Sequence, residues 1–163
     1  MECKIRDISI NYKIIGEGKA VIMLHGYAAD HRIMSGCMEP VFTSKEGYKR
    51  IYIDLPGMGK SCSAEWITSS DDILEIVIEL INTILPNESF LLVGESYGGY
   101  LARGIIHRMF ERVDGVLLIC PVIIADKKKR NLPSHVVLVD NYGLLAKLSP
   151  REAERYHSDL VVH

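Results

Sequence analysis

Residues 90–98 read FLLVGESYG, and this stretch constrains the fold more than any other. Phe90 to Val93 is a short continuous apolar run, the mark of a strand buried on both faces of a sheet. A helical pattern begins at about Tyr97 and runs to Phe110. Between them lies Ser96, with Gly94 two residues before it and Gly98 two residues after. A sharp strand-to-helix turn forces its central residue into a strained backbone conformation and lifts that side chain clear of the sheet. A β-carbon at position 94 or 98 would collide with neighbouring backbone, so both positions require glycine. The helix that follows directs the positive end of its dipole at the serine.

The rest of the chain supplies the sheet that such a turn needs. Residues 4–15 alternate and are rich in Ile, giving one or two extended segments that end at Gly16 and Gly18. Ala20 to Leu24 is a second buried apolar run. A weakly amphipathic helix is expected over His31 to Phe42, and a strand over Tyr48 to Ile53. Ser69 to Leu85 is the clearest helix, with Ile73, Ile76, Val77, Leu80, Ile81 and Ile84 on one face and Ser69 and Asp72 as a capping box. Val116 to Cys120 is expected as a fourth strand. Strands alternating with helices imply an α/β domain, mostly parallel after an antiparallel start, with helices on both faces.

Two further loops follow strand ends. His25-Gly26-Tyr27 follows AVIML, and Asp54-Leu55-Pro56-Gly57-Met58-Gly59-Lys60-Ser61 follows YKRIYI. The second contains Gly-Lys-Ser and invites a nucleotide-binding P-loop reading. That loop needs a glycine where position 54 is aspartate, and no GxGxxG dinucleotide fingerprint is present. Taken in order, the HG turn, the DxxGxGxS loop and the G-x-S-x-G elbow make residues 1 to about 125 resemble the α/β-hydrolase family, in particular its esterase, lipase and aminopeptidase-like members. The resemblance implies Ser96 as nucleophile, the backbone N–H groups of Tyr27 and Tyr97 as the oxyanion hole, and Gly94, Gly98, His25, Gly26 and Asp54 as elbow and loop architecture. It implies hydrolysis of an ester, amide or similar acyl bond of a small-molecule substrate through an acyl-Ser96 intermediate, with neither metal nor organic cofactor.

A serine hydroxyl needs a histidine base oriented by a carboxylate, and the family places these later in the chain, in the order Ser, acid, His. Only 67 residues follow Ser96. From Pro121 the strand–helix rhythm is lost, although Ser149, Pro150 and Glu152 form a clean helix start. The expectation is therefore residues 1–120 as the amino-terminal part of a hydrolase core and 121–163 as the start of a helical lid. The far half of the sheet, and with it the triad acid and base, would lie outside this chain, which alone would be inactive. The only internal candidates in the required order are Asp126 with His135, His157 or His163. His107 reads as a packed or surface residue, His31 as loop surface. The remaining alternative is a non-catalytic α/β-hydrolase-like binding protein.

A net charge of −2, from 19 basic and 21 acidic residues, gives no electrostatic reason to expect a nucleic-acid partner. No apolar run approaches the length needed to span a bilayer. Cys3, Cys37, Cys62 and Cys120 show no paired spacing and read as reduced thiols. The resulting expectation is a cytoplasmic protein with no membrane partner, whose unfinished sheet self-associates or pairs with a missing carboxy-terminal half.

Overall fold

A computed structural model of the chain describes residues 1–131, 143, 146–150, 152 and 153. The Ile-rich beginning folds as a hairpin of β1 (Glu2–Ile5) and β2 (Ile8–Ile15), turning at Arg6 with φ +54°. Then follow β3 (Lys19–Leu24), α1 (His31–Phe42), β4 (Tyr48–Ile53), α2 (Ser70–Ile84), β5 (Phe90–Glu95), α3 (Tyr97–Arg108) and β6 (Val113–Ile119). The six strands make one sheet in the order β1-β2-β4-β3-β5-β6. β2 runs antiparallel to both β1 and β4, whereas the β4-β3-β5-β6 portion is parallel.

Alternation along each strand divides the core. Ile22 and Leu24 of β3, and Phe90 and Leu92 of β5, face the side covered by α2 and α3, where Ile76, Leu80, Leu101 and Ile105 are fully or almost fully buried. Val21, Met23 and Val93 face the other side and meet Met34 and Met38 of α1. Helices thus cover both faces, as a parallel sheet requires. The capping box at the start of α2 forms as expected: Ser69 Oγ accepts from the Asp72 N–H, and the Asp72 carboxylate accepts from the Ser69 N–H at 2.9 Å.

Two boundaries differ from the sequence reading. α3 ends at Arg108, and a 3-10 turn over Phe110–Arg112 carries the chain into β6. β6 begins at Val113 rather than Val116 and ends at Ile119, because Cys120 adopts φ +37° and leaves the strand.

Gly36, within α1, has open space where a β-carbon would stand. Gly36→Ala is therefore expected to stabilise the protein by about 0.5–1 kcal/mol, since alanine removes backbone entropy from the unfolded chain at no steric cost. Urea unfolding checks it, and a lowered midpoint would contradict the helix geometry there.

The chain divides into two compact units, Met1–Ile123 and Ile124–His163. Within the second, Lys127–Lys129 form a 3-10 turn, and the Arg130 guanidinium donates to the carbonyls of Ile124 and Ala125. Ser149 and Glu152 make the expected reciprocal cap: Ser149 Oγ donates to the Glu152 carboxylate at 2.6 Å and accepts from the Glu152 N–H at 3.4 Å. His135, His157 and His163 lie outside the described residues.

Candidate active site

The site is built where the parallel strands end. Ser96 stands between β5 and α3 with φ +49° and ψ −110°, a conformation that L-residues adopt only under constraint. The constraint is visible on all sides. A β-carbon on Gly94 would lie 2.5 Å from the Gly98 carbonyl oxygen, and one on Gly98 would lie 2.6 Å from the Leu24 carbonyl carbon and 2.7 Å from the His25 oxygen. β6 holds the turn from the other flank: the Ser96 N–H donates to the Ile119 carbonyl at 3.0 Å, and the Ser96 carbonyl accepts from the Val122 N–H at 3.0 Å. Among the described residues no side chain takes up the Ser96 hydroxyl.

Beside this turn runs the loop that follows β3. His25 is fully buried, and its Nε2 accepts from the Leu55 N–H at 3.0 Å. Nδ1 must then carry the proton, which it donates to the Gly26 carbonyl at 2.7 Å. Burial lowers the His25 pKa and keeps the ring neutral, despite the opposing pull of the Gly26 carbonyl and of nearby carboxylates. His25 thereby fastens the loop after β3 to the loop after β4. Tyr27 projects from that loop with its side chain 74% exposed, ahead of Ala28 at φ +57°. Its ring meets Tyr97 edge-on, with centroids 5.9 Å apart, and Tyr97 stacks on Tyr100. The Tyr97 hydroxyl donates to Ser70 Oγ at 2.9 Å, tying α3 to the start of α2. Among the described residues the backbone N–H groups of Tyr27 and Tyr97 have no carbonyl partner.

Asp54 is the hub of the third loop. Its carboxylate accepts from the backbone N–H groups of His31 and Lys60 at 2.7 and 2.9 Å, and from the Asn11 side chain and the His31 Nδ1 at 2.8 Å each. Burial pushes the Asp54 pKa up, but these hydrogen bonds outweigh it, and the group ends below the usual carboxylate range. A β-carbon on Gly59 would stand 2.5 Å from Asp54 Oδ2. The space that a P-loop reserves for phosphate is thus filled by the chain's own carboxylate, which removes the nucleotide reading.

Sequence reasoning missed two residues here. His31 is not loop surface; it opens α1, half-buried, with its ring on Asp54. The signal was Asp30, which caps α1 by accepting from the Arg32 N–H and so sets His31 in the first turn. The Arg32 side chain and N–H hold the Asp30 carboxyl well below its usual range. Asp30, His31 and Asp54 bring ligand atoms within 4.8 Å of one another, yet the Asp54 and Asp30 oxygens are already engaged by protein donors. Glu95 is the second: its carboxylate lies against Gly26, where a β-carbon would be 3.1 Å from Glu95 Cδ. Of the described histidines, His25 and His31 are committed to loops, and His107 is exposed about 16 Å along α3 from Ser96, at 1.5 Å per residue.

Comparisons with known proteins show the family to which this fold belongs. The profile of the alpha/beta hydrolase fold matches residues 19–162. The chain belongs to that family. Among curated relatives, the pimeloyl-[acyl-carrier protein] methyl ester esterase of Shewanella woodyi is 30% identical over 111 residues, 68% of this chain and 39% of that protein. The AB hydrolase superfamily protein YisY of Bacillus subtilis is 28% identical over 120 residues, covering 73% and 44%. Among solved structures, the alpha/beta superfamily hydrolase of Oenococcus oeni PSU-1 superposes with a TM-score of 0.75 at 38% identity, over 98% of this chain and 57% of that one. The chain thus spans about two fifths of the length of these curated relatives and covers only part of the fold. No helix among the described residues is long and apolar enough to cross a membrane.

Proposed function

We propose that this chain carries the nucleophile and the oxyanion-stabilising groups of a serine hydrolase acting on an ester or similar acyl bond. The observation that carries the reading is Ser96 at φ +49°, held between two glycines that no other residue can replace. Backbone strain of this kind costs about 1–3 kcal/mol and persists where function over-determines it. Ser96 Oγ attacks the acyl carbon, its proton passes to a base, and the carbonyl oxygen becomes the oxyanion. The N–H groups of Tyr27 and Tyr97 receive that charge, each worth about 10²- to 10³-fold in rate. The leaving alcohol departs with a proton, and water then releases the acyl group from Ser96. The base is a histidine outside the described residues. The esterases among the relatives support the bond class.

Intact-mass analysis after treatment with a fluorophosphonate tests the reading. A strained serine without its base is expected to label slowly and once, and Ser96→Ala to abolish the adduct, because oxyanion groups alone retain a residual rate enhancement when a triad member is absent. An adduct that survives Ser96→Ala would remove Ser96 from the role.

A further inference from the structure

α3 begins without the device that normally fixes the start of a helix. Its N-cap residue is Ser96, whose side chain makes no capping hydrogen bond, so the first turn, where Tyr97 presents its N–H, lacks the usual local anchor. The neighbouring helix is anchored several times over. At the start of α2 the Asp72 carboxylate accepts from the N–H groups and the hydroxyls of both Thr68 and Ser69, and Ser69 Oγ accepts from the Asp72 N–H. Ser70, the first residue of α2, takes no part in that cap, and its hydroxyl accepts from the Tyr97 hydroxyl at 2.9 Å. Burial raises the Tyr97 pKa, so the donor keeps its proton.

Tyr97 also touches both halves of the oxyanion hole proposed above. Its backbone supplies one N–H. Its ring meets the ring of Tyr27, whose backbone supplies the other, with the planes at 87°. Tyr100 backs Tyr97, with its plane 16° from parallel. Tyr27 stands on a loop that turns at Ala28 with φ +57° and leaves its side chain mostly exposed, so the Tyr97 ring is the aromatic surface it rests on. One side chain thus reaches from a firmly capped helix start to the loop of the second donor, and the hydrogen bond at its tip fixes its rotamer.

We infer that the Tyr97 side chain is a positioning strut for the oxyanion hole, held at its hydroxyl by Ser70 and setting the separation of the Tyr27 and Tyr97 N–H groups. The inference rests on the serine-hydrolase reading. Without the hydroxyl bond the ring can swing, and the uncapped first turn of α3 and the Tyr27 loop no longer aim at one oxygen. A donor lost outright costs about 10²- to 10³-fold in rate, and donors merely misaligned are expected to cost about tenfold.

The experiment measures the rate at which the full 163-residue chain gains a Ser96 adduct from a fluorophosphonate, by intact mass, on protein shown by circular dichroism to be folded. Tyr97→Phe and Ser70→Ala are each expected to slow labelling about tenfold, and the two together no more than either alone. Tyr100→Phe, which keeps the stacked ring, is expected to label at the wild-type rate. The same reagent with sulfur in place of its phosphoryl oxygen presents a weak acceptor to the hole, so the oxygen-to-sulfur rate ratio reads the donors rather than general loosening. That ratio is expected to fall about tenfold in Tyr97→Phe and Ser70→Ala. Unchanged rates, additive effects, or equal slowing of both reagents would each overturn the inference. A wild-type chain that forms no Ser96 adduct removes the catalytic reading and this inference with it, whereas an adduct indifferent to Tyr97→Phe removes the inference alone.

Discussion

A methyl group at position 98 is expected to remove a large part of the chain's stability. In Gly98→Ala the new β-carbon would stand 2.6 Å from the Leu24 carbonyl carbon, 2.7 Å from the His25 oxygen, and closer still to the Leu24 oxygen. All three atoms are backbone at the end of a central strand, so no rotamer change relieves the clash. α3 would have to lift away from β3, opening the core around Leu101 and Ile105. Overpacking that side chains can absorb costs about 1–3 kcal/mol; here the cost should be about 3 kcal/mol or more, a large part of the 5–15 kcal/mol that holds a typical domain together. Gly104→Ala is the matched control, because its β-carbon meets only the flexible Leu74 side chain, at 2.6 Å. Thermal unfolding should separate the two by about 10 °C. Equal melting temperatures would show that the elbow is not packed as described.

The second large effect is expected at Asp54. Asp54→Asn keeps the shape but places an amide NH₂ among donors, where the carboxylate now accepts from His31, Lys60 and Asn11. At least one buried N–H then faces another N–H. The cost should be about 1–3 kcal/mol for each donor so stranded. The pH dependence follows from the depressed pKa. The unfolded chain holds this carboxyl at an ordinary pKa of about 3.9, so in the window below that value the unfolded state binds more protons than the folded state. The contribution of Asp54 is complete above about pH 4 and is lost as pH falls through the lower folded-state value. The urea midpoints of wild type and Asp54→Asn should lie far apart at pH 7 and draw together under acid. A gap below about 1 kcal/mol at neutral pH would mean that the three loops are held by something else.

What was legible in the sequence was local. Ser69 and Asp72 announce the start of α2 three residues apart, and Gly94, Ser96 and Gly98 announce the elbow within five. Apolar runs such as AVIML could be assigned to buried strands because their neighbours need not be known. The start of β6 was not legible: Val113 pairs with Phe90 across a bulge after which Leu91 pairs with Gly115, and nothing in residues 113–115 states that irregularity. The His31–Asp54 contact joins residues 23 apart across two loops, so His31 looked like surface until β3 and β4 lay side by side. Glu95 is similar, because its place under Gly26 depends on the meeting of β5 with the loop after β3.

Two of the backbone hydrogen bonds that hold Ser96 end at Ile119, the last residue of β6, and at Val122 beyond it, while a third comes from the Tyr100 N–H of α3 at 3.2 Å. Edge strands open at lower free energy than the strands inside a sheet, and each opening involves a contiguous cooperative unit. When this edge frays, the serine keeps only its tie to α3, and its strained dihedrals relax more readily. The lifetime of that strained turn thus depends on the breathing of the outermost strand. Whatever pins that strand also lengthens the time the serine spends in its strained turn, and the reactivity we propose for Ser96 would rise with it, without any group touching the hydroxyl.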